Sequence, residues 1–222
     1  MLSDAAIRRA HRHLRCLPKR RYDVVLDVGA YDGEFAEHCS HYFASQRLCL
    51  VEANPTKARA LQDKFAKHQR FSVVHSAITD RDGPLSFRVN QHAASSSILP
   101  MSADAENLFG TNLREEASVT VPGLRLDTLF KQEGLSHVDL MKVDIQGAEK
   151  LLIAGGLEAL SHIDVIVMEV LFEPMYEGSA LFGELHAELL KLGFHLQDLL
   201  KLRRGAGGIL AYGDAVYTRT GA

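Results

Sequence analysis

Four acidic residues stand within or directly after short apolar runs: Asp27, Glu52, Asp144 and Glu169. If these runs are parallel strands, their carboxyl ends meet at one edge of a sheet, where α/β proteins bind their ligands. A carboxylate placed there can hold a cationic group, accept hydrogen bonds from hydroxyls or accept a proton. A buried carboxylate is costly unless something donates hydrogen bonds to it. The four acids are therefore the first candidates for a binding or catalytic site.

The earliest of these acids lies beside a glycine turn. The apolar run Val24–Val28 is followed by Gly29-Ala30-Tyr31-Asp32-Gly33 and then by an expected helix over 34–43. A strand, a glycine turn and a helix N-terminus let a ligand approach bare backbone. A dinucleotide site would have Gly-x-Gly-x-x-Gly, whereas here Asp32 places a negative charge where a phosphate would lie. The turn therefore favours a ligand with an ammonium group, such as the methionine end of S-adenosylmethionine (SAM).

A second acid supports the same ligand. Glu52 ends the next apolar run, where a carboxylate can accept both hydroxyls of a ribose. Pro55 suits the first position of the following helix, and Ser76 ends the third expected strand. The predicted cofactor residues are Asp27, Gly29, Ala30, Tyr31, Gly33, Glu52, Ala53, Asn54, Ser76, Ala77 and Asp144. The alternative is a glycine turn of an α/β protein that binds no ligand.

Composition limits the class of protein. The chain has 222 residues, 46% hydrophobic and 24% charged, enough for a full core in one domain over 1–222. A net charge of −3 gives no overall attraction to nucleic acid, and three cysteines without paired spacing argue against disulfides and zinc. No apolar run approaches the roughly 20 residues of a membrane span, and no signal peptide is visible. We therefore expect a cytoplasmic protein.

The N-terminal segment 1–21 is expected to form a basic amphipathic helix. Lysines and arginines are concentrated in it: Arg8, Arg9, Arg12, Arg15, Lys19, Arg20 and Arg21. Such a helix can make peripheral contact with an anionic membrane or meet an acidic substrate. The alternative is the solvated outer face of a helix that docks on the domain.

The order of expected elements predicts the fold. Apolar runs alternate with helical segments up to Leu192, and two further strands close the chain. This predicts a Rossmann-like α/β domain with a seven-stranded, mostly parallel sheet, helices on both faces and a C-terminal antiparallel hairpin. Residues 84–122 interrupt the alternation and are expected to form an inserted flap near the site. The serines at 95–97 in it either contact a ligand or are plain loop composition.

Several segments resemble the FkbM-type methyltransferases. They are Leu26-Asp27-Val28-Gly29-Ala30, Val51-Glu52-Ala53-Asn54-Pro55, Leu126-Asp127-Thr128-Leu129 and, most specifically, Met141-Lys142-Val143-Asp144-Ile145-Gln146-Gly147-Ala148-Glu149. The resemblance spans roughly residues 22–219 and implies a SAM-dependent methyltransferase that modifies hydroxyls of sugars or natural products. The chain departs from the family at Gln146, where many members carry an acid, and at Tyr31 and Asp32 in the turn.

Methyl transfer to a hydroxyl requires positioning and removal of a proton, so a base or a metal ion is expected. Asp144 and Glu169 end adjacent strands, and two carboxylates there are candidate ligands of Mg²⁺. The alternative is that Asp144 only positions the cofactor or a loop and Glu169 only ends its strand. His92, in the flap, is a further candidate base.

Other functions remain open at this stage. A SAM- or nucleotide-binding module without catalysis would keep the same fold, and an NAD(P)-dependent oxidoreductase is disfavoured by the missing glycine. The flap composition, rich in serine and amide side chains and poor in fixed charge, suits a neutral small-molecule or glycan acceptor better than a nucleic acid. The sequence does not identify that acceptor.

Overall fold

The computed structural model describes residues 17, 21–103, 105 and 114–220. The predicted basic helix within 1–21 and the segment 106–113 of the flap lie outside these residues, apart from Leu17 and Arg21. Within the described part of the chain, no helix is both long and apolar enough to cross a membrane.

The described residues form ten strands and six α-helices. The strands are β1 (Val24–Val28), β2 (Arg47–Glu52), β3 (Phe71–His75), β4 (Ala77–Ile78), β5 (Gly83–Asn90), β6 (Glu115–Leu124), β7 (Val138–Val143), β8 (Ile163–Leu171), β9 (Phe194–Arg204) and β10 (Leu210–Arg219). The helices are α1 (Glu34–Tyr42), α2 (Pro55–Phe65), α3 (Leu126–Glu133), α4 (Glu149–Ala154), α5 (Leu157–Leu160) and α6 (Phe182–Lys191). Short 3₁₀ turns lie at Ala93–Ser95 and Ala206–Gly208.

Seven strands form one sheet in the order β3-β2-β1-β7-β8-β10-β9. Strand β1 is parallel to both β2 and β7, and β8 is parallel to β7, whereas β10 is antiparallel to β8 and β9. The predicted fold class is therefore confirmed, including the C-terminal antiparallel hairpin. The order reverses at β1, so the carboxyl ends of β1, β2 and β7 open on one crevice.

Helices cover both faces of this sheet because the strand side chains alternate between two apolar cores. Leu26 and Val28 of β1 pack in the core that includes residues of α3, α4, α5 and α6. Val25, between them, packs in the opposite core with Phe35 of α1 and Leu61 of α2. Central strands with two buried faces give the continuous apolar runs seen in the sequence.

A second, three-stranded sheet in the order β4-β6-β5 stands beside the first. Its strands β5 and β6 pair antiparallel from Gly83 with Gly123 to Asn90 with Glu115. These two strands belong to the predicted flap over 84–122. The flap is thus built on a paired ribbon.

The last three strands are longer than predicted. Strand β8 continues to Leu171 because β10 pairs with it as far as Tyr212, and Glu169 lies opposite Asp214 within that ladder. Glu169 is therefore inside a strand, not at its end. The extension arises from pairing between residues that are far apart in sequence, which apolar periodicity does not reveal.

Candidate active site

The glycine turn after β1 lies against the two neighbouring strands through close backbone contacts. Gly29 has φ +81°, and a Cβ on it would lie 1.8 Å from the backbone oxygen of Asp144. The N–H groups of Gly29 and Ala30 both donate to the carbonyl of Val51, at 2.9 and 3.0 Å. Gly33 closes the turn with a 2.7 Å bond to the carbonyl of Ala30. Only glycine fits at position 29, because the chain approaches β7 too closely for any side chain.

Glu52 is locked in place by backbone donors. Its two carboxylate oxygens accept hydrogen bonds from Tyr31 N and Asn54 N, each at 2.7 Å. Burial raises the pKa of Glu52, and the two backbone N–H groups partly offset that effect. Asn54 in turn caps α2, its side-chain oxygen accepting from Thr56 N and Lys57 N. The carboxylate therefore joins the glycine turn to the start of α2.

A cavity opens over the carboxyl ends of β1, β2 and β3. The predicted cofactor residues that line it are Gly29, Tyr31, Glu52, Ala53, Ser76, Ala77 and Asp144. The flap closes it with five residues. Ser96 is one of the serines singled out in the sequence, whereas Phe87, Ala93, Ala94 and Ile98 were not predicted. The lining combines apolar side chains with polar groups at Glu52, Asp144 and Gln146, a combination that suits a flat ring joined to a sugar.

An adjoining cavity shares Gly29, Tyr31 and Asp144 with the first one and is also lined by Asp27 and Ala30. Gly33 and Asn54 line neither cavity, and they act by shaping the turn and capping α2.

Asp27 is a buried carboxylate that lacks a partner. It is 1% exposed, and among the described residues no hydrogen bond of ordinary geometry reaches either of its oxygens. Burial raises the pKa of Asp27 to about 6, with the ammonium of Lys142 opposing this effect. Because an unpartnered buried carboxylate is costly, its place beside the glycine turn fits a ligand that brings a cationic or hydrogen-bond-donating group.

Asp144 and Glu169 come together through a third residue. The side-chain nitrogen of Gln146 lies 2.7 Å from Asp144 Oδ1 and 2.8 Å from Glu169 Oε2. Lys142, on the same face of β7, donates to the other oxygen of Asp144 at 2.9 Å. Two residues apart on a strand face the same way, so this pairing with Lys142 was within reach of sequence reasoning.

The two carboxyl groups differ in proton affinity. Burial alone would raise the pKa of Asp144, but the charge of Lys142 and the hydrogen bonds from Lys142 and Gln146 hold it below its usual value. Burial, followed by the charges of Asp144 and Glu149, raises the pKa of Glu169 well above its ordinary range. The pair thus combines an ionised Asp144 with a Glu169 that takes up a proton readily.

The remaining candidates lie apart from this pair. His92 is exposed and does not line the cavity; its carbonyl accepts bonds from the N–H and the hydroxyl of Ser95. Tyr176, which sequence reasoning missed, is buried and donates to Gln146 Oε1 at 2.6 Å. No periodicity or spacing marks Tyr176, because it lies in a loop between β8 and α6.

The strand order, the glycine turn and the cavity over β1, β2 and β3 define the class of protein: a methyltransferase with a Rossmann-like fold. The family model described as "Methyltransferase FkbM domain" matches residues 27–196, and the chain belongs to this family of SAM-dependent methyltransferases.

Relatives agree with this assignment. The 2-O-methyltransferase NoeI of Sinorhizobium fredii (strain NBRC 101917 / NGR234) is 27% identical over 175 residues, which are 77% of this chain and 72% of NoeI. The structure of the FkbM methyltransferase of Methylobacillus flagellatus KT matches 94% of this chain with a TM-score of 0.61 and 13% identity. This chain spans about half of that protein, 47% of its length.

The next comparison, like that with the Methylobacillus flagellatus structure, concerns the fold alone. Aeropyrum pernix fibrillarin, whose structure contains natively bound S-adenosyl-L-methionine, matches 94% of this chain and 76% of its own, with a TM-score of 0.55 and 15% identity.

Proposed function

We propose that this protein transfers a methyl group from SAM to a hydroxyl of a sugar, glycan or natural-product acceptor. The observation that carries the proposal is the Asp144 and Glu169 pair, which stands beside the cofactor cavity and offers a proton acceptor. The name of the relative NoeI, a 2-O-methyltransferase, supports a hydroxyl as the acceptor group.

The residues present fit SAM on two counts. Glu52 holds a carboxylate in the lining of the cavity, where it can accept the ribose hydroxyls. Asp27, without a partner, suits the ammonium of the methionine end near the turn that begins at Gly29. When bound, SAM supplies a methyl group made electrophilic by its positively charged sulfur.

The protein itself has to orient the acceptor and take its proton. The ionised form of Glu169 is the proposed proton acceptor, because its raised pKa makes that form the stronger base of the pair. Asp144, ionised beside Lys142, is proposed to orient the acceptor hydroxyl and to contact the cofactor. His92 remains a less favoured base, since it is exposed and would have to turn inward.

The flap is proposed to cover the site and to contribute to acceptor binding. The five flap residues that line the cavity give it a further role in holding the cofactor. Shortening the flap is therefore expected to weaken SAM binding as well as methyl transfer. The single-domain organisation over 1–222, peripheral membrane contact through residues 1–21 and a cytoplasmic location stay predictions.

The test is incubation with SAM carrying a labelled methyl group and a panel of neutral saccharides and natural products, followed by mass spectrometry of the products. We expect a methyl ether on one sugar hydroxyl. Methylation of an amine or a nucleobase instead would refute hydroxyl transfer. SAM binding without turnover on any acceptor would favour the alternative, a binding module that has lost its chemistry.

The sequence also suggested that Asp144 and Glu169 hold a Mg²⁺ ion that assists methyl transfer. A bridging cation would require the place that the Gln146 amide nitrogen fills, and Lys142 already neutralises Asp144. As arranged, the residues do not fit the ion. Methyl transfer that is unchanged in excess EDTA would agree with the absence of a Mg²⁺ ion between Asp144 and Glu169.

A further inference from the structure

Gln146 lies between Asp144 and Glu169. We call the part of the crevice formed by Asp144, Glu169, Gln146 and Lys142 the acceptor side, because the proposed function places the acceptor there. The NH₂ group of Gln146 has two hydrogens, and its two carboxylate neighbours use both, one on Asp144 and one on Glu169. Its side-chain oxygen accepts the hydroxyl of Tyr176 at 2.6 Å. Every polar atom of the amide is therefore engaged.

The orientation of this amide follows from its neighbours. An ionised carboxylate only accepts hydrogen bonds, so the nitrogen of Gln146 must face Asp144. The oxygen then faces the hydroxyl of Tyr176, which supplies a donor. A glutamate at this position would place a third acceptor between two acids.

The backbone of Gln146 is held as firmly as its side chain. The residue has φ +56°, a conformation that a non-glycine residue adopts only at a cost. Ser97 of the flap donates its hydroxyl to the carbonyl of Gln146 at 2.7 Å. Gly147 follows with φ +93° and lies so close to Tyr176 that a Cβ would be 2.7 Å from its ring. Ser97 and Tyr176 thus hold the strained segment in place.

We propose that Gln146 is a positioning residue that takes the place of a bridging cation between Asp144 and Glu169, so that this carboxylate pair works without a divalent metal. A divalent ion joining two carboxylates needs a lone pair from each at about 2.0–2.6 Å. Here the facing lone pairs are directed at N–H groups, and the ammonium of Lys142 lies against Asp144 and repels a second cation.

The proposal predicts that a single change creates a cation site. Gln146→Glu brings three carboxylates around one point, the donor set that hard divalent cations prefer. Gln132→Glu is the matched control, because it makes the same chemical change on the exposed surface of α3.

The binding test uses Mn²⁺ alone as the probe, followed by electron paramagnetic resonance, and needs no acceptor. At about 1 mM Mn²⁺ we expect no ion that Asp144→Asn removes in the wild type or in Gln132→Glu, and one additional ion in Gln146→Glu with Kd on the order of 100 μM. Any ion at the separate cluster of His137, Asp139 and Asp164 would be common to all variants and would not depend on Asp144. A wild type that binds Mn²⁺ and loses it on Asp144→Asn would overturn the proposal, as would a folded Gln146→Glu that binds no additional ion.

The activity test rests on the proposed function and covers the case in which Gln146→Glu does not fold. Wild-type methyl transfer is expected to stay within about twofold in excess EDTA or added Mg²⁺. Loss of turnover in EDTA with recovery on Mg²⁺ would overturn the proposal. In a folded Gln146→Glu, turnover is expected to fall at least tenfold in EDTA and to recover with Mg²⁺.

SAM binding measured by calorimetry distinguishes failure of the proposed function from failure of the proposed role of Gln146. If the protein binds SAM but methylates no hydroxyl, the proposed function fails, while the Mn²⁺ result still decides the role of Gln146.

Discussion

The two halves of the crevice are held by different kinds of hydrogen-bonding groups. The cofactor side is the half formed by the glycine turn and Glu52, where the proposed function places SAM. On this side, the glycine turn is held by backbone N–H groups that donate to Val51, and Glu52 is fixed by two more backbone donors. On the acceptor side, the carboxyl groups of Asp144 and Glu169 are held by the side chains of Lys142 and Gln146. One half is therefore fixed by chain path and the other by side-chain chemistry.

This difference determines what each half tolerates. A backbone-built site loses its geometry when a Cβ is added but accepts most changes of side-chain type nearby. A side-chain network responds to the loss of any single donor, and the effects of its members are not additive. The backbone-built cofactor side suits a cofactor whose structure is always the same. On the acceptor side, one substitution can change the charge and hydrogen bonding of the site.

The largest effect is expected from Gly29→Ala on the cofactor side. The added Cβ would lie 1.8 Å from the carbonyl oxygen of Asp144, so β1 and β7 would have to separate. We expect the free energy of unfolding in urea to fall by more than about 4 kcal/mol and SAM binding to be lost.

The matched control is Gly134→Ala, because Gly134 has φ +59° and nothing lies within 4 Å of the new Cβ. It should cost only about 1–2 kcal/mol. Equal losses in the two variants would contradict the close approach.

The next effect concerns pH on the acceptor side. Burial raises the pKa of Glu149 to about 7, and its Oε1 accepts from Ile145 N in the loop after β7. Because the folded state binds this proton more tightly than the unfolded chain, Glu149 favours folding below the unfolded pKa of about 4.5. That contribution is lost as pH rises towards about 7, and amounts to about 3 kcal/mol.

Glu149→Gln should therefore reduce the fall in unfolding free energy between pH 5 and pH 8 by about 2–3 kcal/mol. Urea denaturation of the SAM-free protein at both pH values measures it. Glu116→Gln, an exposed change on β6, is the control and should leave the difference unaltered. An unchanged pH dependence in Glu149→Gln would show that another group causes it.

The third prediction tests the Glu52 carboxylate of the cofactor side. Glu52→Gln keeps one oxygen acceptor but loses the charge that would bind the ribose hydroxyls. SAM affinity by calorimetry should fall by about 1.5–3 kcal/mol, one to two decades in Kd. Asp82→Asn is the control, since Asp82 also accepts a backbone N–H, from Arg125 at 2.8 Å, but lies outside the cavity. Unchanged affinity in Glu52→Gln would refute the assignment.

Sequence reasoning found seven of the residues that line the cavity, because their signals are local. A strand, two glycines and the acid that ends β2 lie within a short stretch, and each has one physical meaning. The seven strands of the main sheet were predicted for the same reason, since buried central strands are continuous apolar runs.

The acceptor side was reached only in part. Asp144 and Glu169 were found because each stands near a strand end, but their linkage through Gln146 and Tyr176 joins residues distant in sequence. The inner position of Glu169 depends on pairing between β8 and β10, and the closing of the cavity by Phe87 and Ile98 depends on the fold of the flap. Such contacts follow from tertiary packing, which no local pattern encodes.

The smallest effect is expected from Tyr176→Phe, which removes one donor from the acceptor-side network without changing its shape. The hydroxyl of Tyr176 bonds Gln146 Oε1 at 2.6 Å and lies 3.0 Å from the carbonyl of Ser95 in the flap. Its loss should lower the free energy of unfolding by about 1 kcal/mol. The Gln146 amide then keeps only its bonds to the two carboxyl groups and is held less firmly. Methyl transfer should therefore fall several-fold, while SAM affinity stays within about twofold. Tyr217→Phe is the matched control, because that buried hydroxyl bonds His186 away from the crevice. It should show a similar or smaller loss of stability with no change in turnover.

Two outcomes would contradict the division of the crevice into two independent halves. In the first, Tyr176→Phe and Tyr217→Phe slow methyl transfer equally. In the second, Tyr176→Phe weakens SAM binding as much as it slows turnover.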